Sequence, residues 1–162
     1  MHSAFLGLGS NLGDRQAYLQ RGLELLSERA GYLPEVSGMY ESAPWGVEEQ
    51  SPYYNLVARL NTHLWPLDLL RVLQQVEREC GRERTERWGS RTLDIDLLLF
   101  EDFRFTMPDL TVPHPRLTER NFVLYPLSEL IPDRVYPGSR LTLFQLKERS
   151  PDTGWIHRCE FY

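Results

Sequence analysis

Leu93-Asp94-Ile95-Asp96-Leu97-Leu98-Leu99-Phe100 is an apolar run interrupted by two carboxylates, and it reads as a strand. Upstream, Arg82 to Arg91 has arginines, glutamates and a tryptophan but no apolar periodicity, the pattern of an exposed, mobile loop. Before that loop, Leu69, Leu73, Val76 and Cys80 form a helical stripe that opens after Pro66 and stops at Gly81. Tyr53 to Thr62 predicts a strand, Ala43 to Pro52 an irregular loop, and Glu35 to Ser42 another strand. Leu19, Leu23, Leu26 and Ala30 place a helix from Asp14 to Ala30, ended by Gly31. Ser3 to Leu8 is the first strand, running into the turn-forming Gly9-Ser10-Asn11-Leu12-Gly13-Asp14. Strand, helix, strand, strand, helix, strand is the split βαβ order of an α+β fold, a sheet with helices on one face. Downstream lie Pro113-His114-Pro115, a helix through Phe122 to Leu130, and a short helix near Leu143 to Glu148.

The 162 residues suit one domain with a real core, and the even spread of apolar residues argues against disorder outside the termini. A net charge of -5 disfavours a protein that grips nucleic acid, which needs excess cations. Lys147 is the lone lysine among the cations, and arginine presents a planar fork suited to phosphate or carboxylate. Cys80 and Cys159 are too few for a disulfide framework and suggest free thiols in the cytoplasm. No apolar run approaches the roughly 18 residues of a membrane span, so no membrane partner is expected.

Asp94 and Asp96 share one strand face and stand about 6.6 Å apart. Like charges there repel by about 2.5 kcal/mol at an effective dielectric near 20, a sign that a divalent cation would reverse. Magnesium takes one or two carboxylates and completes its shell with water and phosphate oxygens. The alternative is a strand end reaching solvent, where the repulsion falls to about 0.6 kcal/mol. The adjoining Arg82, Arg84, Arg87 and Arg91 favour the metal and imply phosphates, unless Glu83 and Glu86 merely pair with them. Gln74 and Glu77, one helical turn apart, could project toward that loop and read a base or ribose, or form a plain polar face. His114, between two prolines and near Arg116 and Arg120, is a candidate phosphate contact. Tyr53 and Asn55 share a face that offers an aromatic plane with a donor and an acceptor, and Trp45 and Phe122 could close a stacking slot for a flat heterocycle.

These residues, in this order, resemble the 6-hydroxymethyl-7,8-dihydropterin pyrophosphokinase (HPPK) family of folate biosynthesis. The likeness runs from about Phe5 to Pro132: Leu8-Gly9-Ser10-Asn11-Leu12-Gly13, Tyr40 to Asn55, Gly81-Arg82, Arg87-Trp88-Gly89, Arg91-Thr92-Leu93-Asp94-Ile95-Asp96, Val112-Pro113-His114-Pro115, and Arg120-Asn121-Phe122-Val123-Leu124 with Pro126-Leu127. It implies a ferredoxin-like split βαβ antiparallel sheet with helices packed on it, a C-terminal helical or hairpin extension, and one catalytic domain over 1–162. It implies that ATP gives its β,γ-pyrophosphate to the hydroxymethyl group of a reduced pterin alcohol, with AMP released. Asp94 and Asp96 would bind two magnesium ions. Arg82, Arg91, His114 and Arg120 would meet the phosphates, Gln74 and Glu77 the nucleotide or its neighbouring loop, and Arg84 and Trp88 would belong to a loop that closes. Ser42, Trp45, Tyr53, Asn55 and Phe122 would form the pterin pocket, in a monomer. Ala43 and Ser90 stand where many members have proline, and the arginine loop is one residue shorter than in the best-known members. A non-catalytic RNA or effector module is a rival that lacks the basic aromatic surface it would need. A γ-phosphoryl kinase is another, but Gly7 to Gly13 holds no phosphate-loop lysine.

Overall fold

His2–Ser10 forms β1, in which Ala4, Phe5, Leu6 and Leu8 are all buried in a near-continuous run, as in a strand covered on both faces. The computed structural model describes residues 1–44, 49–81 and 92–160. β1 pairs antiparallel with β4 (Tyr53–Thr62) on one side and with β5 (Asp94–Phe100) on the other. β2 (Tyr32–Val36) and β3 (Tyr40–Ser42) both pair antiparallel with β4, and β8 (Ile156–Arg158) extends β3, giving the order β5-β1-β4-β3-β8. A separate two-stranded ribbon joins β6 (Phe105–Thr106) to β7 (Thr111–Val112).

Helices cover both faces rather than the one expected. On one face α1 (Arg15–Arg29) and α2 (Pro66–Glu79) bury Leu19, Leu23, Leu26, Leu69 and Leu73 against Leu6, Leu8, Leu56, Leu60 and Ile95. The other face carries a second apolar row, Phe5, Val57 and Leu98, too large to leave in water. It is covered by Leu117 of a 3-10 turn, by Val123, Leu124 and Leu127 of α3 (Asn121–Leu130), and by Leu143 of α4 (Leu143–Glu148).

Local chemistry sets the boundaries. The Asp14 side chain caps α1 by accepting from the Ala17 N–H at 3.1 Å. Gly31, at φ 151°, ends it where a Cβ would fall 2.1 Å from the Asn61 carbonyl oxygen, which excludes any side chain. The strand expected over Glu35–Ser42 is divided. Ser37 leaves the ladder, its hydroxyl accepting from the Val57 N–H at 2.9 Å while its own N–H donates to the Val57 carbonyl at 2.8 Å. A β-bulge between Phe5 and Leu6 pairs Leu6 with Leu97 and Phe5 with Leu99, so strict alternation along β5 fails. Leu99 therefore joins Leu98 in the second core, and Phe100 turns to the first. Among the described residues, no helix is long and apolar enough to cross a membrane.

Candidate active site

The face that holds Phe5, Val57 and Leu98 changes character toward the Ser10 end of β1. Register places Asp96 opposite Gly7, and aligns Asp94, Gly9, Asn55 and Tyr40 in one row across four strands. Gly9 puts no side chain of its own between Asp94 and Asn55, whereas Gly7 makes room for the Leu98 side chain. A Cβ on Gly9 would stand 3.0 Å from Asn55 Oδ1 and 3.5 Å from a Tyr53 ring carbon, and one on Gly7 would stand 3.3 Å from Leu98. Asp94 and Asp96 are half-buried, whereas Asn55 and Ser42 are buried. Asn55 Nδ2 donates to Ser42 Oγ at 2.8 Å, which fixes the amide and turns its oxygen toward Gly9.

The segment after β7 supplies the cationic rim. The His114 N–H donates to the Leu98 carbonyl at 2.9 Å, which ties this segment to β5 two residues beyond Asp96. Nδ1 of His114 accepts from the Arg116 N–H at 3.2 Å, so the neutral ring carries its proton on Nε2 and offers it as a donor. Burial pushes the imidazole below its ordinary 6.5; Asp96 pulls the other way, and Arg120 and Arg116 reinforce the fall. Burial likewise lowers the Arg120 guanidinium, opposed by Asp96 and Asp94, but an arginine remains charged throughout. The Arg120 guanidinium lies 5.5 Å from the Phe122 ring centre, at the first turn of α3.

The structure thus brings Asp94, Asp96, His114 and Arg120 into one electrostatic group, with Ser42, Tyr53 and Asn55 joined to it across Gly9. Gln74 and Glu77 do not project together: Gln74 is exposed, whereas Glu77 is 4% exposed and accepts the Ile95 N–H at 3.1 Å. Glu77 thereby holds the backbone between the two aspartates from behind the sheet. Trp45, Arg82, Arg84, Trp88 and Arg91 lie outside the described residues. Sequence reasoning missed the place of Gly9 between Asp94 and Asn55, which needs the register to be seen, and read Glu77 as a surface group. Its position one turn from Leu73 and beside Val76, on the apolar stripe, was the available signal.

No cluster of three metal-ligating side chains occurs among the described residues. Two hard-oxygen carboxylates on an otherwise apolar strand nonetheless fit magnesium, which keeps several waters and takes the rest of its shell from phosphates. Such a floor can hold a metal-bound polyphosphate, with a neutral imidazole donor and a guanidinium to one side and a flat polar slot to the other.

The sequence profile of the 7,8-dihydro-6-hydroxymethylpterin-pyrophosphokinase (HPPK) family matches residues 5–132. The 2-amino-4-hydroxy-6-hydroxymethyldihydropteridine pyrophosphokinase of Bacillus subtilis is 45% identical over 128 residues, covering 78% of this chain and 77% of its own. That of Aquifex aeolicus is 41% identical over 147 residues, covering 91% of each. Among solved structures, the Plasmodium falciparum HPPK-DHPS triple mutant S436F/A437G/A613S with SDX-DHP superimposes with a TM-score of 0.77 at 20% identity, which shows likeness of fold. The superposition covers 91% of this chain and 44% of that one, so this chain spans under half the length of the two-part protein.

Proposed function

The chain belongs to the 7,8-dihydro-6-hydroxymethylpterin-pyrophosphokinase family, and from that premise we infer that it transfers pyrophosphate from ATP to the hydroxymethyl group of 6-hydroxymethyl-7,8-dihydropterin, releasing AMP. The observation that carries the assignment to this face is the row Asp94, Gly9, Asn55, which sets an acidic pair beside a buried amide with no side chain between them.

In this reading Asp94 and Asp96 hold two magnesium ions, which when bound neutralise the triphosphate. Asn55 presents its Oδ1 to the amino edge of the pterin, with Ser42 locking the amide in that sense. Tyr53 and Phe122 flank the bicycle, together with Trp45, and orient its hydroxymethyl group toward the phosphates. His114, as a neutral Nε2–H donor, and the Arg120 guanidinium bind phosphate oxygens. The resemblance adds Arg82 and Arg91 to the phosphate side, Arg84 and Trp88 to a loop that closes over the site, and Gln74 to the nucleotide. Glu77 acts through the Ile95 amide rather than on ATP. The pterin hydroxyl oxygen attacks the β-phosphorus and gives up its proton, for which the Asp96 carboxylate is the nearby acceptor, while the bond from that phosphorus to the α-phosphate oxygen breaks and AMP departs with that oxygen and its electron pair.

The strand order and antiparallel pairing support a ferredoxin-like, split βαβ catalytic domain to which α4 and β8 are additions. Two buried free cysteines support a reducing, cytoplasmic setting. The test is to mix the chain with ATP, magnesium and the reduced pterin alcohol. AMP should accumulate in step with pterin consumption; ADP in its place would overturn the reading.

A further inference from the structure

Asp152 lies beyond residues 5–132, the span that the family profile matches, yet its contacts reach both walls of the proposed pterin slot. One carboxylate oxygen accepts the main-chain N–H of Asn121 at 2.9 Å, and the other accepts the Gly154 N–H at 2.8 Å. The Asp152 carbonyl accepts Asn121 Nδ2 at 3.1 Å. Asn121 opens α3, whose N-cap residue Arg120 makes no side-chain capping bond and whose first turn contains no acid. The first N–H groups of a helix lack internal acceptors and favour a negative charge, and Asp152 brings one from 31 positions away. The next residue is Phe122.

The same short segment grips the opposite wall. A Cβ on Gly154 would lie 3.6 Å from the Ala43 methyl, the Trp155 carbonyl accepts the Ala43 N–H at 3.0 Å, and Ile156 pairs with Ser42 in the sheet. Asp152 is therefore the joint between α3, which carries Phe122, and β3, which carries Ser42.

We propose that Asp152 is a positioning residue for pterin binding: through Asn121 and Gly154 it sets the separation of Phe122 from Ser42 and Ala43. This rests on the pterin reading of that slot. A misplacement of about 1 Å in a positioning group can cost up to about a hundredfold, so a marked but partial loss is expected.

In calorimetric titrations with magnesium and a non-hydrolysable ATP analogue present, Asp152→Ala should bind the reduced pterin alcohol about tenfold more weakly. Its KM for ATP should change less than about threefold, because only Arg120 among the proposed triphosphate contacts adjoins Asn121, whereas Asp94, Asp96 and His114 stand on β5 and the segment after β7. Asp152→Asn keeps one acceptor oxygen and should recover most of the loss, to about threefold. Thr153→Ala, at the exposed neighbour, should match the unmodified chain. Pterin affinity within twofold of the unmodified chain in a folded Asp152→Ala overturns the proposal, as do equal losses for ATP and pterin. If Asp152→Ala does not fold, Asp152→Asn decides: a loss confined to pterin supports the proposal, and unchanged affinity overturns it. If the unmodified chain itself binds no pterin, the functional reading fails and this inference with it.

Discussion

Two carboxylates at i and i+2 of a strand repel one another unless something cationic lies between or beside them, and here the Arg120 guanidinium interacts with both, while the neutral His114 adds only a hydrogen-bond donor. Removing one carboxylate relieves the repulsion but removes half of the proposed metal site. Asp96→Ala should therefore lower AMP formation by about 10³-fold or more, with a melting temperature within about 3 °C of the unmodified chain. Near-normal turnover would dissolve the metal assignment. Gly9 tests the other half of the floor. In Gly9→Ala the added methyl would crowd Asn55 Oδ1 at 3.0 Å, so the pterin KM should rise about tenfold with the ATP KM little changed. At this scale the sequence picks out residues that the fold brings together: the aspartates, His114, Asn55 and Tyr53 stand out from their surroundings by charge or by spacing. It was silent about why Gly9 matters, because a missing side chain signals a turn as readily as a floor.

At the scale of elements, the site is held from behind. Glu77 on α2 accepts the Ile95 N–H, and Ile95 sits between the two aspartates. Losing that acceptor leaves a buried N–H unsatisfied, so Glu77→Ala should cost about 2 kcal/mol in denaturant unfolding. An unchanged unfolding midpoint would show that the contact is idle. The divided strand has its own fastening: Glu129 of α3 accepts the Gly38 N–H at 2.9 Å and the Tyr40 hydroxyl at 2.5 Å, with Arg158 3.4 Å away. Burial opposes ionisation of Glu129, but Tyr40, Gly38 and Arg158 outweigh it and hold the carboxyl below its ordinary 4.5. The folded state thus favours the ionised form, so its stabilisation is full above about pH 4.5 and is lost as pH falls through the lower folded value. The stability deficit of Glu129→Gln should accordingly be constant near neutrality and shrink in acid; a deficit that widens in acid would contradict this. Periodicity found the long helices and strands, since each buries a continuous stripe. It missed the break at Ser37 and the bulge at Leu98, where a hydroxyl and one extra residue replace ladder bonds without changing composition.

For the whole molecule, two apolar cores on opposite faces of one sheet hold the fold together, and neither includes the aspartate pair. The second core was illegible in advance because α3 and α4 follow the sheet in sequence and nothing local says which face they cover. Since neither core needs a metal, a chelator should leave the melting temperature of the free protein within about 1 °C while stopping transfer; adding ATP with magnesium should raise it by mass action. A chelator-induced loss of fold would instead make the metal structural. In the proposed function Asp94 and Asp96 steer a pyrophosphoryl group, not a phosphoryl group, onto the pterin oxygen. The most direct measurement follows ATP labelled at its β-phosphorus. The label should leave on the pterin product, with unlabelled AMP remaining; label retained in ADP would contradict the account.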